Sequence, residues 1–277
     1  MIDVHVGCCS WTSPAWSGRF YPPTVRNGDR LAYYARRFDV VEIDATYYRP
    51  PTEALVRRWE GVTPPGFRFA LKAPRDLVDL SRPIDADGID RFVRTARRLG
   101  GKLGPILLQF SPSVTARSAA RTFLELCRAL PGGVRYSVEL RSPDWFSGDA
   151  WRTLASELTD RGMALTWSFL TAVDVPTEVT SDFLYVRLIG DHVTVPASQH
   201  GERRIDRGST IQRYADRLRT VRAPVAEAFV FVNNHFEGFA PDSANRFREA
   251  IGKAPAGAAS GGSLDRYGRF DDRALGT

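Results

Sequence analysis

Eight short apolar runs with the two-residue period of a β-strand alternate with amphipathic stretches of helical period along most of this chain. That alternation admits few folds. The strand-like runs fall at residues 4–9, 40–44, 67–72, 106–110, 134–141, 164–167, 183–188 and 228–233. The helical patterns fall at 29–38, 52–59, 85–99, 115–130, 149–161, 209–221 and 243–251, with Asp29 as the expected N-cap of the first. No helix pattern follows the sixth strand. Eight strands interleaved with helices is the count of an α/β protein built as a single (β/α)8 TIM barrel, irregular around strand six. A doubly wound open sheet is the alternative, but no strand is followed by a GxGxxG turn.

A length of 277 residues would allow two domains of about 150 residues each, yet no shift in composition marks a boundary. The expectation is one barrel over residues 1–252 and a flexible tail over 253–277, which opens on an Ala, Gly, Pro and Ser-rich run. With 43% hydrophobic and 25% charged residues the chain matches an ordinary globular protein. No apolar run approaches the ~18 residues of a membrane span, and the first residues do not read as a secretory signal. A cytoplasmic protein with no membrane partner is expected. Between strand seven and the next helix, residues 190–208 are polar and long for a loop. With Val193 and Val195 as its main apolar anchors, this stretch is expected to form a mobile cover.

The formal net charge is +6, and of 38 basic residues only Lys72, Lys102 and Lys253 are lysines. The excess of arginine fits either a solvated basic surface or a face that attracts an anionic partner. Cys8, Cys9 and Cys127 make no disulfide framework and no CxxC pair, and they read as small buried side chains.

Strand alternation assigns the polar residues. In a barrel the apolar set faces the helices, so the intervening set faces inward. Val41 and Ile43 outward place Glu42 and Asp44 inward. The same parity turns in Lys72, Gln109, Glu139, Arg141, Arg187 and Asn233. All lie near the C-terminal ends of their strands, the face where barrel enzymes keep their chemistry. Three negative and three positive charges there could form a self-satisfied ion network or a ligand site. Trp11, Tyr47, Tyr48 and Trp145 gather near the same rim and could stack on a sugar or base.

Glu42 and Glu139 face one cavity from separate strands. One would serve as a general acid raised by burial and the other as base or nucleophile, as a hydrolase or lyase would use them. Lys72 is a further catalytic candidate. Trp11, Asp44, Tyr47, Gln109, Arg141, Trp145, Arg187 and Asn233 are the candidate ligand-binding residues. The four histidines show no metal-ligand spacing, so no metal is expected, and no cofactor motif is present. The expected partner is a small polar or anionic ligand, carbohydrate- or nucleotide-like. The alternative is nucleic acid, with or without phosphodiester chemistry, carried by the net charge, the rim aromatics and Arg203, Arg204 and Arg207.

Several blocks occur in a recognisable order. Gly7-Cys8-Cys9-Ser10-Trp11 precedes Trp16-Ser17-Gly18-Arg19-Phe20-Tyr21-Pro22, and Val41-Glu42-Ile43-Asp44-Ala45-Thr46-Tyr47-Tyr48 follows. Then come Phe67-Arg68-Phe69-Ala70-Leu71-Lys72-Ala73-Pro74, Lys102-Leu103-Gly104-Pro105-Ile106-Leu107-Leu108-Gln109-Phe110 and Val138-Glu139-Leu140-Arg141, with Tyr185-Val186-Arg187-Leu188 and Val232-Asn233-Asn234 last. The set resembles the YecE-like family, also called DUF72. The resemblance implies a TIM barrel and little about chemistry, since that family is named for an unknown function. Two positions depart from its pattern: Ser142 and Ile189 stand where the family often has histidine.

Overall fold

The computed structural model describes residues 2–257. Eight parallel strands close into one barrel in sequence order: β1 (Asp3–Cys8), β2 (Val40–Ile43), β3 (Arg68–Lys72), β4 (Leu103–Gln109), β5 (Tyr136–Glu139), β6 (Ala164–Phe169), β7 (Phe183–Leu188) and β8 (Glu227–Val232). β1 closes the ring against β8, with His5 opposite Phe229 and Cys8 opposite Val232. The outer helices are α1 (Arg30–Tyr34), α2 (Glu53–Gly61), α3 (Ala86–Ala96), α4 (Ala116–Ala129), α5 (Gly148–Asp160), α6 (Gly208–Thr220), α7 (Asn234–Glu237) and α8 (Ala240–Ala250). None of them is long and apolar enough to cross a membrane.

Local sequence sets the helix starts. Thr52, Asp85 and Thr115 each accept a hydrogen bond from the backbone N–H three residues on, closing the first turns of α2, α3 and α4. Asp29 precedes α1, but its side chain makes no capping bond and the helix runs only to Tyr34. No helix joins β6 to β7. That segment carries Val173, Val175, Pro176, Thr177, Val179 and Thr180, a β-branched run around a proline that disfavours a helix. It lies instead along β6: Thr180 Oγ1 accepts from Leu165 N at 2.8 Å, and Trp167 Nε1 donates to Glu178 O at 2.7 Å.

The strand alternation produces two cores. Outward residues such as Val41, Ile43, Phe69, Leu71, Leu108, Val138, Val186 and Leu188 pack against the helices. The lower barrel interior is filled by Val40, Ala70, Leu107, Ala164, Phe183, Tyr185 and Phe229. On β2 to β7 the inward position two residues further along is polar. Val40 is followed by Glu42, Ala70 by Lys72, Leu107 by Gln109, Ser137 by Glu139, Thr166 by Ser168 and Tyr185 by Arg187. The apolar plug thus sits beneath a charged layer at the C-terminal mouth.

Residues 190–208, expected to form a mobile cover, are fastened to the barrel at several points. Val193 is 92% exposed and anchors nothing, whereas Val195 is fully buried. The main fastening is polar. The buried Glu237 carboxylate accepts from Arg207 N at 2.6 Å, Ser243 Oγ at 2.6 Å and Arg246 Nη1 at 2.5 Å, and its carbonyl accepts from Arg204 N at 2.6 Å. Gly190 has a φ of 72°, and a Cβ there would meet His235 O at 2.1 Å, so the loop leaves β7 in close contact with the β8 turn. At the C-terminal end, Ala256 N donates to Asn245 Oδ1 at 2.7 Å. The rest of the expected tail, residues 258–277, lies outside the described residues.

Candidate functional site

Arg187, 2% exposed, occupies the centre of the mouth. Its Nε and Nη2 form a fork on Glu42, at 2.9 Å and 2.7 Å, while Nη1 donates to Glu139 Oε2 at 2.6 Å and to Gln109 Oε1 at 3.1 Å. Tyr185 OH, two residues earlier on the same inward face, donates to Glu42 Oε2 at 2.6 Å. Ser168 Oγ donates to Glu139 Oε2 at 2.8 Å, and Arg141 Nε to Glu139 Oε1 at 2.7 Å. Arg141 Nη2 reaches Gln109 Oε1 at 3.0 Å. Charges removed from water cost several kcal/mol each unless partnered in this way. Glu42, Gln109, Glu139 and Arg187 therefore make one frame that ties β2, β4, β5 and β7 together.

Burial alone would raise the Glu139 carboxyl, but the charges of Arg187 and Arg141 and the hydrogen bonds from Arg187 and Ser168 outweigh it. They hold Glu139 well below the usual carboxylate range. A carboxylate held ionised in this way is suited to a base or counter-ion role and not to donating a proton near neutrality. Glu42 has both oxygens engaged by Arg187 and one also by Tyr185, so it too is part of the frame.

Asp44 differs. It opens a short turn, Asp44–Tyr47, whose Thr46 hydroxyl proton is shared between Lys72 O at 2.6 Å and Ile43 O at 2.8 Å, joining the tops of β2 and β3. Asp44 Oδ1 is buried without a hydrogen bond, 3.5 Å from Lys72 Nζ and 3.6 Å from Arg187 Nη2, although the side chain as a whole is 31% exposed. Burial and the neighbouring Glu42 charge push its carboxyl up to about 6, against the pull of Arg187 and Lys72. Burial lowers the Lys72 ammonium in turn, against the pull of Asp44. Lys72 Nζ sits 4.1 Å over the Tyr47 ring.

Cys9 completes this corner. Among the described residues, Cys9, Glu42 and Asp44 are the one group of three or more His, Cys, Asp or Glu side chains whose donor atoms all lie within 4.8 Å. As arranged they do not fit a metal cage, since Arg187 and Tyr185 take the Glu42 oxygens and burial keeps the Cys9 thiol protonated.

The rim aromatics divide. Trp145 is 3% exposed, packs on Phe123 and donates to Val114 O at 2.8 Å, so the ring face expected to stack on a ligand is covered by core. Trp11 is half-buried, edge-on to Trp59. Tyr47 and the 85%-exposed Tyr48 border a cleft of about 500 Å3 beside the mouth, which Arg75 and Arg91 also line. Asn233 Oδ1 accepts from His235 N at 3.0 Å at the start of α7. Arg203, Arg204 and Arg207 each face a carboxylate, those of Asp242, Glu202 and Asp191, so their charge is balanced locally.

Sequence reasoning missed several partners. Ser168 lay one residue beyond the expected end of strand six, while Tyr185 was legible from the parity of Arg187. Ser142 donates to Asp144 Oδ1 at 2.6 Å, and Asp144 in turn accepts from Ala116 N at the start of α4. Ile189 packs against the barrel interior. Three of the four histidines, His192, His200 and His235, come together where residues 190–208 meet the β8 turn, with His200 Nε2 3.2 Å from His235 Nδ1. The fourth, His5, lies at the other end of the barrel, within 3.4 Å of Asp3, Asp39 and Glu227. No spacing in the sequence announced either cluster.

A family model described as "Protein of unknown function DUF72" matches residues 5–264. The chain belongs to the DUF72 family. It is 31% identical over 165 residues to the UPF0759 protein YecE of Escherichia coli, covering 58% of this chain and 57% of YecE. It is 26% identical over 151 residues to the UPF0759 protein YunF of Bacillus subtilis, covering 52% of each. The matches thus span little more than half the length of these DUF72 relatives. Among solved structures, a DUF72 protein from Thermotoga maritima matches with a TM-score of 0.76 at 21% identity, over 91% of this chain and all of that one. One from Enterococcus faecalis matches with a TM-score of 0.73 at 18% identity, over 92% of this chain and 99% of that one. At these identities the DUF72 structures show the shared barrel fold.

Proposed function

We propose that this DUF72 barrel is an acid–base enzyme. Its substrate is a small polar anion of carbohydrate or nucleotide size, bound at the C-terminal mouth and hydrolysed or cleaved by elimination. Asp44 transfers the proton. Lys72 and Arg141 hold the negative charge, and the Arg187 frame keeps all three in place. The observation that carries the reading is the Asp44 carboxyl, with one buried oxygen lacking a hydrogen bond and an acidity near pH 6. A group so poised exchanges protons efficiently near neutrality. Lys72 Nζ lies 3.5 Å from Asp44 and over the Tyr47 ring and makes no hydrogen bond, so a ligand reaching it would find an unengaged donor. The neighbouring cleft, which Tyr47, Arg75 and Arg91 line and Asp44, Lys72 and Arg141 do not, is within the size range of small-molecule sites.

A panel of 4-nitrophenyl glycosides and phosphate esters tests this. The expected result is turnover of at least one of them with a pH inflexion near 6. The rate rises through it if Asp44 is the base and falls if it is the acid. Asp44→Asn should then lower turnover by about 10²-fold or more. Undiminished turnover in Asp44→Asn, or the same inflexion in that variant, overturns the assignment.

A further inference from the structure

The opposite mouth of the barrel holds a second cavity, of about 440 Å3. Arg68 at the start of β3, Arg97 just after α3 and Arg135 just before β5 line it, with Phe229 and Glu227 from β8. The room comes from glycine. Gly100 and Gly133 have φ values of 54° and 72°, the left-handed region glycine adopts readily, and neither brings a side chain into the space. Gly104 belongs to a bulge in the β3–β4 seam. Pairing runs from Phe69 opposite Leu103 to Leu71 opposite Ile106, so Gly104 and Pro105 stand against Ala70 alone.

The charges around this cavity are unbalanced. Arg135 is occupied by Glu227 and by Asp182, at 3.3 Å from the latter. Arg97 and Arg68 have backbone carbonyls instead, those of Gly132 at 2.5 Å and Gly66 at 3.4 Å. Among the described residues neither guanidinium has a carboxylate partner. Two planar forks with unused N–H donors border a space larger than a single ion needs. Guanidinium forks match the oxygens of phosphate in pairs.

The geometry points to a second ligand site at the N-terminal mouth, one that takes a compact phosphorylated molecule carrying at least two negative charges, clamped between Arg68 and Arg97. The site is independent of the chemistry at the other mouth. Its occupant joins β3 to the segment after α3, across the seam where the sheet pairing slips, so binding stabilises the barrel.

Pyrophosphate is the probe. Calorimetric titration of the full chain should show a site that depends on Arg68 and Arg97, and the melting temperature should rise by several degrees at saturation. Arg68→Gln and Arg97→Gln should each weaken binding about tenfold, since each removes charge-assisted hydrogen bonds. Both side chains are partly or fully exposed, so the melting temperature without pyrophosphate should stay near that of the parent. Arg121→Gln, an exposed residue of α4 away from both mouths, should leave the titration unchanged. Absence of binding at millimolar pyrophosphate, binding indifferent to both lower-mouth variants, or binding lost equally in Arg121→Gln overturns the proposal.

Discussion

Glu139 and Asp44 stand at the same end of the same barrel, on strands that both feed Arg187, and their acidities move in opposite directions. Glu139 is gripped by two guanidiniums and a serine hydroxyl, and these hold it ionised. Asp44 lies second to Glu42 on Arg187, at 3.6 Å against 2.7 Å, and shares its corner with the Glu42 charge. The difference teaches that burial does not settle what a carboxylate does. What settles it is the number of direct hydrogen bonds from cations compared with the nearness of like charge. One carboxylate becomes part of the scaffold, and the other is left able to exchange a proton.

The strongest way to break this contrast is to remove the shared cation. Arg187→Met leaves Glu42 and Glu139 buried without their main partner. It should cost at least about 4 kcal/mol of stability, read by urea denaturation at pH 7. A variant as stable as the parent would mean that the frame is not what holds β2, β4, β5 and β7 in register.

Glu139→Gln comes next, with a loss of about 3 kcal/mol at pH 7, because Arg141 and Arg187 lose a charged partner in the interior. The sign with pH follows from the depressed acidity of Glu139 in the folded protein. Its stabilisation is fully present above the unfolded value of 4.5 and is lost as pH falls through the much lower folded value. The gap between parent and variant should therefore be constant above pH 4.5 and narrow below it. A gap that widens in acid would contradict the assigned ionisation.

Asp44→Asn should reverse that pattern while lowering turnover about 10²-fold. The folded Asp44 carboxyl titrates near 6 and the unfolded one at 3.8, so between those values the folded state binds more protons and parent stability declines as pH rises. The variant lacks that decline. Its melting temperature should match the parent near pH 3.5 and exceed it above pH 6.5. Melting curves at the two pH values check this, and a variant less stable at the higher pH would show Asp44 to be a structural counter-ion instead.

The smallest effect belongs to ion pairs in water. Arg203→Ala combined with Arg204→Ala removes two half-exposed pairs, and stability should change by no more than about 0.5 kcal/mol in a thermal melt. The 190–208 segment is held by Glu237 and by backbone hydrogen bonds that both substitutions leave in place. A larger loss would show that exposed arginines hold this loop to the barrel.

The alternation was legible without any structure. Eight strand patterns and their order implied the closed barrel. Two-residue parity placed Glu42, Lys72, Gln109, Glu139 and Arg187 on one inward layer at the C-terminal mouth, because side-chain direction along a strand is a local property. The missing helix after strand six was legible as a stretch without a helical pattern. Pairing was decided only by tertiary structure. Whether Arg187 would reach Glu42, Glu139 or Asp44 first depends on the closure of β2, β5 and β7 around it, residues separated by up to 145 positions. That choice alone sets Glu139, gripped by two guanidiniums, apart from Asp44, which lies 3.6 Å from Arg187. The covering of Trp145, the anchoring of the long loop on Glu237, the gathering of three histidines and the arginine-lined lower cavity have the same origin. Each is a meeting of segments distant in the chain, and no local pattern encodes the distance between them.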